Sequence, residues 1–86
     1  MIYRIYTENI NKHAIEKLVS DFYDGYTIIE ATGYWQSKKE KSLIIEILVY
    51  GEHEETIINA IAVQIKKINS QQGVLVAEID CNHWLA

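Results

Sequence analysis

The 86-residue chain has a single cysteine, Cys81, and no apolar run of the length a membrane-spanning helix needs. One thiol cannot form an internal disulfide, so a reducing cytoplasm is the expected home. The opening MIYRIYTEN lacks the regions of a secretory signal, which carries the same cytoplasmic expectation and none of a membrane partner. Positive charge is also scarce. Eight Lys and Arg stand against twelve Asp and Glu, for a net charge of −4, and the cations are scattered rather than striped. Neutralising phosphates needs a basic surface, so nucleic acid is not expected as the main partner. The chain has no glycine-rich loop of the P-loop kind and no Ser/His/Asp or Cys/His arrangement. Cys81 and His83 form only a Cys-x-His pair, and His53 stands among glutamates; a closed zinc site needs four ligands. No metal and no cofactor is expected.

What is present is nearly half apolar, enough for one ordered domain spanning residues 1–86. MIYRIYT alternates and reads as a strand over 2–7. Ile10, Ala14, Leu18, Val19 and Phe22 then recur at helical spacing, with Asn9 as the expected N-cap and Gly25 as the stop. GYTIIEATGYW and KSLIIEILVYG read as the second and third strands. The intervening QSKKEK has no Asn-Gly or Asp-Gly pair, so a longer, mobile hairpin loop is expected. After Gly51, residues Ile57, Ile58, Ile61, Ile65 and Ile68 make one helical stripe, with acids before it and Lys66 and Lys67 at its end. VLVAEI is the last strand. The order βαββαβ predicts an α+β, ferredoxin-like sandwich: four antiparallel strands with both helices on one face. If Leu43, Ile45, Ile47 and Val49 face the helices, the other face carries Ile44, Glu46, Leu48 and Tyr50. Such an apolar face predicts a homo-oligomer.

One stretch, TGYWQSKKEKSLIIEI, carries a family resemblance through Gly33, Tyr34, Trp35, Lys38, Glu40 and Ser42. With the element order, it resembles the small trimeric proteins of the PII/CutA type, and in particular their short phage-encoded relatives. The resemblance implies a trimer with a small nucleotide-like ligand in clefts between subunits, the strand 2–3 hairpin forming a wall. Phage proteins of this architecture include S-adenosylmethionine lyases; phage oligomers that sequester nucleotide immune signals form a related functional class. On that likeness Tyr34 or Trp35 flanks the adenosine or sulfonium, and Glu40 is the acidic residue of the site.

The residues themselves allow these roles beside plainer ones. Tyr34 and Trp35 suit a purine platform or a cap on the core, and alternation lets at most one face a given pocket. Lys38, with Lys39 and Lys41, suits ligand phosphates or a solvated hairpin tip. Glu40 suits a ribose hydroxyl, a cationic centre or acid–base work, or is a surface carboxylate. Arg4, within a strand, needs a partner: Glu30, Glu46 or Glu78 across the sheet, or else an anionic part of the ligand. Three functions follow, in order: a phage anti-defence protein that holds and sequesters a nucleotide-derived molecule, an S-adenosylmethionine lyase, and a PII-like regulator. RNA binding through Tyr3, Tyr6 and Tyr50 on the open sheet face ranks last, because the aromatic RNA-recognition pattern is missing.

Overall fold

Alternating apolar and polar residues give MIYRIYTE and KSLIIEIL one apolar face each, and the protein joins the two along their length. In the computed structural model, which describes residues 1–51 and 54–86, the elements are β1 (Ile2–Glu8), α1 (Lys12–Ser20), β2 (Thr27–Trp35), β3 (Lys38–Leu48), α2 (Glu55–Ile68) and β4 (Leu75–Ile79). The strands form one antiparallel sheet in the order β2-β3-β1-β4, the ferredoxin-like arrangement expected from the sequence. His53, expected at the start of the second helix, lies outside the described residues.

The core lies between one sheet face and the two helices. Tyr3 and Ile5 of β1 and Leu43, Ile45 and Ile47 of β3 pack with Ile15 and Val19 of α1 and Ile58, Ile61 and Ile65 of α2. Each fully buried side chain of this size contributes about 1.5–3 kcal/mol of transfer free energy. Leu43, Ile45 and Ile47 turn toward the helices, so Ile44, Glu46 and Leu48 lie on the open face. Tyr3 belongs to the core, which removes it from any stacking set on that face. At α2, Glu55 in the first turn and Lys66 and Lys67 in the last match the helix dipole.

The first helix departs from the expected boundaries. The Asn9 N–H is committed to the Lys41 carbonyl at 2.9 Å, which extends the strand ladder past β1 and delays the helix. Asn11, not Asn9, is the N-cap, with left-handed backbone (φ 56) and no side-chain cap. The later start buries Ile15 and Val19, while Ala14 is exposed and Ile10 and Phe22 are exposed outside the helix.

The hairpin also differs from expectation. Gln36 and Ser37 alone connect β2 to β3, both with positive φ (50 and 64), as a mirror-image two-residue turn requires. Lys38 to Lys41 are therefore strand residues, paired from Trp35↔Lys38 to Thr32↔Lys41. Strand pairing of this long ribbon overrides the unfavourable turn residues. A non-glycine residue in the left-handed region costs roughly 1–2 kcal/mol, against roughly 0.5–1 kcal/mol for the entropy of a glycine. Ser37→Gly is accordingly expected to stabilise the protein by about 0.5–1 kcal/mol. A rise in the urea midpoint with unchanged slope checks it.

Candidate functional site

β1 pairs with β3 only as far as Glu8↔Ser42, whereas β2 and β3 continue to Trp35↔Lys38. The end of the hairpin therefore projects past the core as a two-stranded wall. Facing it is the connection from α2 to β4, residues 70–73. Between them lies a groove of about 570 Å³ on the open face of the sheet, floored by Tyr6, Glu8, Ser42 and Ile44. Its size suits a ligand of nucleoside dimensions.

Register decides which side chains enter. Residues 40, 42 and 44 of β3 share the open face with their partners Gly33, Ala31 and Ile29, and with Tyr6 and Glu8 of β1. Trp35 and Lys38 continue that face at the tip. Tyr34 and Trp35 both border the groove and both are largely exposed, at 71% and 60%, leaving ring faces free to stack. Their joint presence differs from the expectation of one per pocket, because residues at the tip of the projecting ribbon lack a neighbouring strand to cover them. Gly33 lies against Ser42: a Cβ there would overlap the Ser42 hydroxyl. The missing side chain thus leaves the groove floor open beside Glu40.

Glu40 is half-buried in this groove. Desolvation, then the charge of Glu8 and a hydrogen bond with it, push the Glu40 carboxyl above the ordinary carboxylate range. Two carboxylates on neighbouring strands repel one another unless they share a proton or accept a cation. The groove therefore combines aromatic walls with an acidic floor, a chemistry suited to a cation bearing a flat ring.

Arg4 and Lys38 are placed differently. Arg4 Nε lies 2.8 Å from Glu46 Oε2 in a partly exposed ion pair, the structural alternative weighed from the sequence. The guanidinium pKa is raised first by the hydrogen bond to Glu46, then by Tyr6. Arg4 does not line the groove. Arg4→Met is expected to leave the denaturation midpoint near wild type, because solvent screens the pair. Chemical denaturation against wild type checks it. Lys38 is exposed beside Trp35 and outside the groove lining. The structure thus brings Tyr34, Trp35 and Glu40 together and leaves Arg4 and Lys38 at the periphery.

The far wall went unread in the sequence. Thr7 and Asn69 are buried polar residues; the Thr7 hydroxyl hydrogen-bonds to Gln71 Oε1. Asn69 Nδ2 donates to Gln71 Oε1 at 3.0 Å and to Thr7 Oγ1 at 3.2 Å. The connection 70–73 is thereby tied to the core from inside. Its sequence, SQQG, gave a hint only in being a polar cluster that ends on glycine. At the other end of the molecule, Cys81 Sγ lies 3.7 Å from His83 Nδ1, and His83 packs against Tyr50.

No protein-family model and no curated protein matches the sequence. Among solved structures, a phage S-adenosylmethionine (SAM) lyase in complex with S-methyl-5′-thioadenosine is similar, with a TM-score of 0.68 and 13% identity, covering 87% of this chain and 76% of that one. A phage SAM lyase in the apo state gives a TM-score of 0.67 at 14% identity, over 87% and 75% of the two chains. At this identity the likeness is one of fold. The ferredoxin-like chain with an open-face groove thus shares its architecture with phage SAM lyases.

Proposed function

We propose that the groove binds S-adenosylmethionine or a closely related adenosine derivative, and that the protein cleaves it as a lyase of the phage type. The observation that carries this reading is the meeting of Tyr34, Trp35, Glu40 and Glu8 around one groove. The fold shared with SAM lyases supports it. SAM carries a sulfonium and an adenine: the carboxylates suit the cation, and the aromatics suit the ring. The sulfonium is its own leaving group. Cleavage breaks the bond from sulfur to the γ carbon of the methionine part while the ligand's own carboxylate bonds to that carbon, giving the neutral thioether and a lactone. The step therefore needs the ligand folded rather than an enzymic nucleophile. In this reading Glu40 steadies the sulfonium, and the ring stacks on Trp35 or Tyr34.

We also propose that the protein acts as a homo-oligomer, a trimer on the family resemblance. Ile29, Leu48 and Leu75 on the open face are exposed by more than a third of their surface, which a second copy would cover. Groove residues Tyr6, Ile44 and Leu75 belong to the same face, so assembly would make the groove an inter-subunit cleft. Such a protein would act in the host cytoplasm as a phage anti-defence factor. Sequestration without cleavage is the second reading: the aromatic walls and acidic floor of the groove would hold a cationic ligand whether or not it is cleaved. A regulator with a moving loop is not favoured, since the hairpin closes in two residues.

Incubating the purified protein with SAM and following products by mass spectrometry tests the reading. Formation of S-methyl-5′-thioadenosine supports lyase activity. Unchanged SAM recovered from denatured protein favours sequestration. A protein that binds neither compound overturns both. Sedimentation of a monomer at micromolar concentration removes the inter-subunit cleft.

A further inference from the structure

The amide of Gln71 has an orientation fixed by backbone carbonyls two side chains away. Ile68 O and Glu8 O accept hydrogen bonds and cannot donate, so each one identifies the amide end that faces it. Asn11 lies with one amide end 3.3 Å from Ile68 O, which makes that end Nδ2. The same Nδ2 lies 3.3 Å from the near end of the Asn69 amide, which must then be Oδ1. The opposite end of Asn69 is consequently Nδ2, in agreement with its 3.4 Å contact to Glu8 O. That Nδ2 lies 3.0 Å from Gln71, so the Gln71 atom facing the core is Oε1. The Thr7 hydroxyl accepts from Asn69 and passes its own proton to the same oxygen.

The chain of assignments ends at the groove. With Oε1 held by two donors inside, Nε2 is the exposed end of the amide, on a residue that lines the groove. Among the described residues its acceptor is Gly73 O at 3.5 Å, the outer limit of a hydrogen bond. The other of its two N–H groups has no acceptor among the described residues. The network lies between two left-handed backbone positions, Asn11 (φ 56) and Ser70 (φ 53), which cost free energy and persist where surrounding contacts impose them.

We infer that Gln71 is a ligand-binding residue, its Nε2 pre-oriented to donate a hydrogen bond to an acceptor atom of the groove's ligand, such as an unprotonated purine nitrogen or a ribose oxygen. The inference rests on the proposed SAM-class reading of the groove and adds the specificity of its second wall. Asn69 acts through Gln71 and is a positioning residue. A donor held in place before binding loses little side-chain entropy when the ligand arrives, and therefore favours ligands with an acceptor at that point.

Calorimetric titration with S-methyl-5′-thioadenosine tests the assignment in the intact protein. Gln71→Glu keeps an acceptor for Thr7 and Asn69 but turns an oxygen toward the groove. Gln71→Met removes the donor without adding charge. Both are expected to weaken binding about fivefold or more, with Gln71→Glu the weaker binder and at a thermal midpoint near wild type. Gln71→Met also takes the acceptor from Thr7 and Asn69, so its midpoint falls and its affinity is read well below that midpoint. Gln64→Glu, the same change on the exposed side of α2, is expected to bind as wild type does. In wild-type protein the Gln71 side-chain amide resonances are expected to shift on titration, which a purely structural glutamine would not show. Wild-type affinity in both Gln71 variants, or unmoved amide resonances in a protein that binds the probe, overturns this assignment alone. Absence of binding to wild type overturns the reading of the groove and the assignment with it.

Discussion

Glu40→Gln is expected to raise the thermal midpoint at neutral pH and to weaken SAM binding by about tenfold or more. The two effects share one cause. The folded protein holds the Glu40 carboxyl above its ordinary range, through desolvation and through Glu8. A carboxyl raised on folding contributes stability that is full below its unfolded pKa and lost as pH rises through the folded value. As pH rises through the folded value Glu40 becomes charged beside Glu8, which opposes folding, and a neutral amide relieves the protein of that charge. The gain should shrink as pH falls toward the carboxylate range, where Glu40 itself is protonated. Glu30 behaves with the opposite sign. Lys12, 2.9 Å away, lowers its pKa, so its contribution is present above the ordinary carboxylate value and lost as pH falls through the folded one. Melting curves of wild type and Glu40→Gln across pH 4–8 separate the two, roughly spanning the ordinary carboxylate and neutral ranges. A midpoint for Glu40→Gln below wild type at neutral pH would contradict the repulsion argument.

The ligand half follows from charge. The attraction between a carboxylate and a sulfonium is one of charge, and losing about 1.4 kcal/mol of it is a tenfold loss of affinity. The neutral thioether S-methyl-5′-thioadenosine has no such charge, and its affinity should change less. Parallel titrations with the two compounds read the difference directly. Equal loss for both would assign Glu40 to the adenosine rather than to the cationic end.

Asn69→Leu is expected to lower the unfolding free energy by about 2–4 kcal/mol, the largest stability effect among these substitutions. Asn69 is 9% exposed and serves the Thr7 hydroxyl, Gln71 Oε1, the Glu8 carbonyl and the Asn11 amide. Leucine fills the space but leaves those groups without their partner, and each unmet buried polar group costs about 1–3 kcal/mol. Some relax toward water, which keeps the total below the sum. Urea unfolding with an unchanged slope measures the loss. A midpoint as near wild type as that expected of Arg4→Met would mean that water replaces Asn69 readily. The same substitution frees residues 70–73, so ligand affinity should fall with stability.

The hairpin shows where local information ran out. QSKKEK has no residue that favours positive φ, so a long loop was the proper reading of those six positions. The two-residue turn at Gln36 and Ser37 follows from pairing in register along all of β2, which no local signal in the loop encodes. α1 is similar: Asn9 reads as a cap until its N–H is taken by Lys41, thirty-two positions along the chain. At the site, Tyr34, Trp35 and Glu40 were legible because they lie within one stretch of seven residues. Glu8, Asn69 and Gln71 were not, since they come from the end of one strand and the exit of a distant helix.

The sequence by itself determined the element order, the faces of the two central strands and the ferredoxin-like fold. These are consequences of apolar periodicity, which is local and repeats along each segment. Only the tertiary structure decided what stands across from the hairpin. Opposition in space depends on contacts between residues some sixty positions apart, such as Thr7 with Gln71. Such contacts have no period, and the groove exists only once they are made.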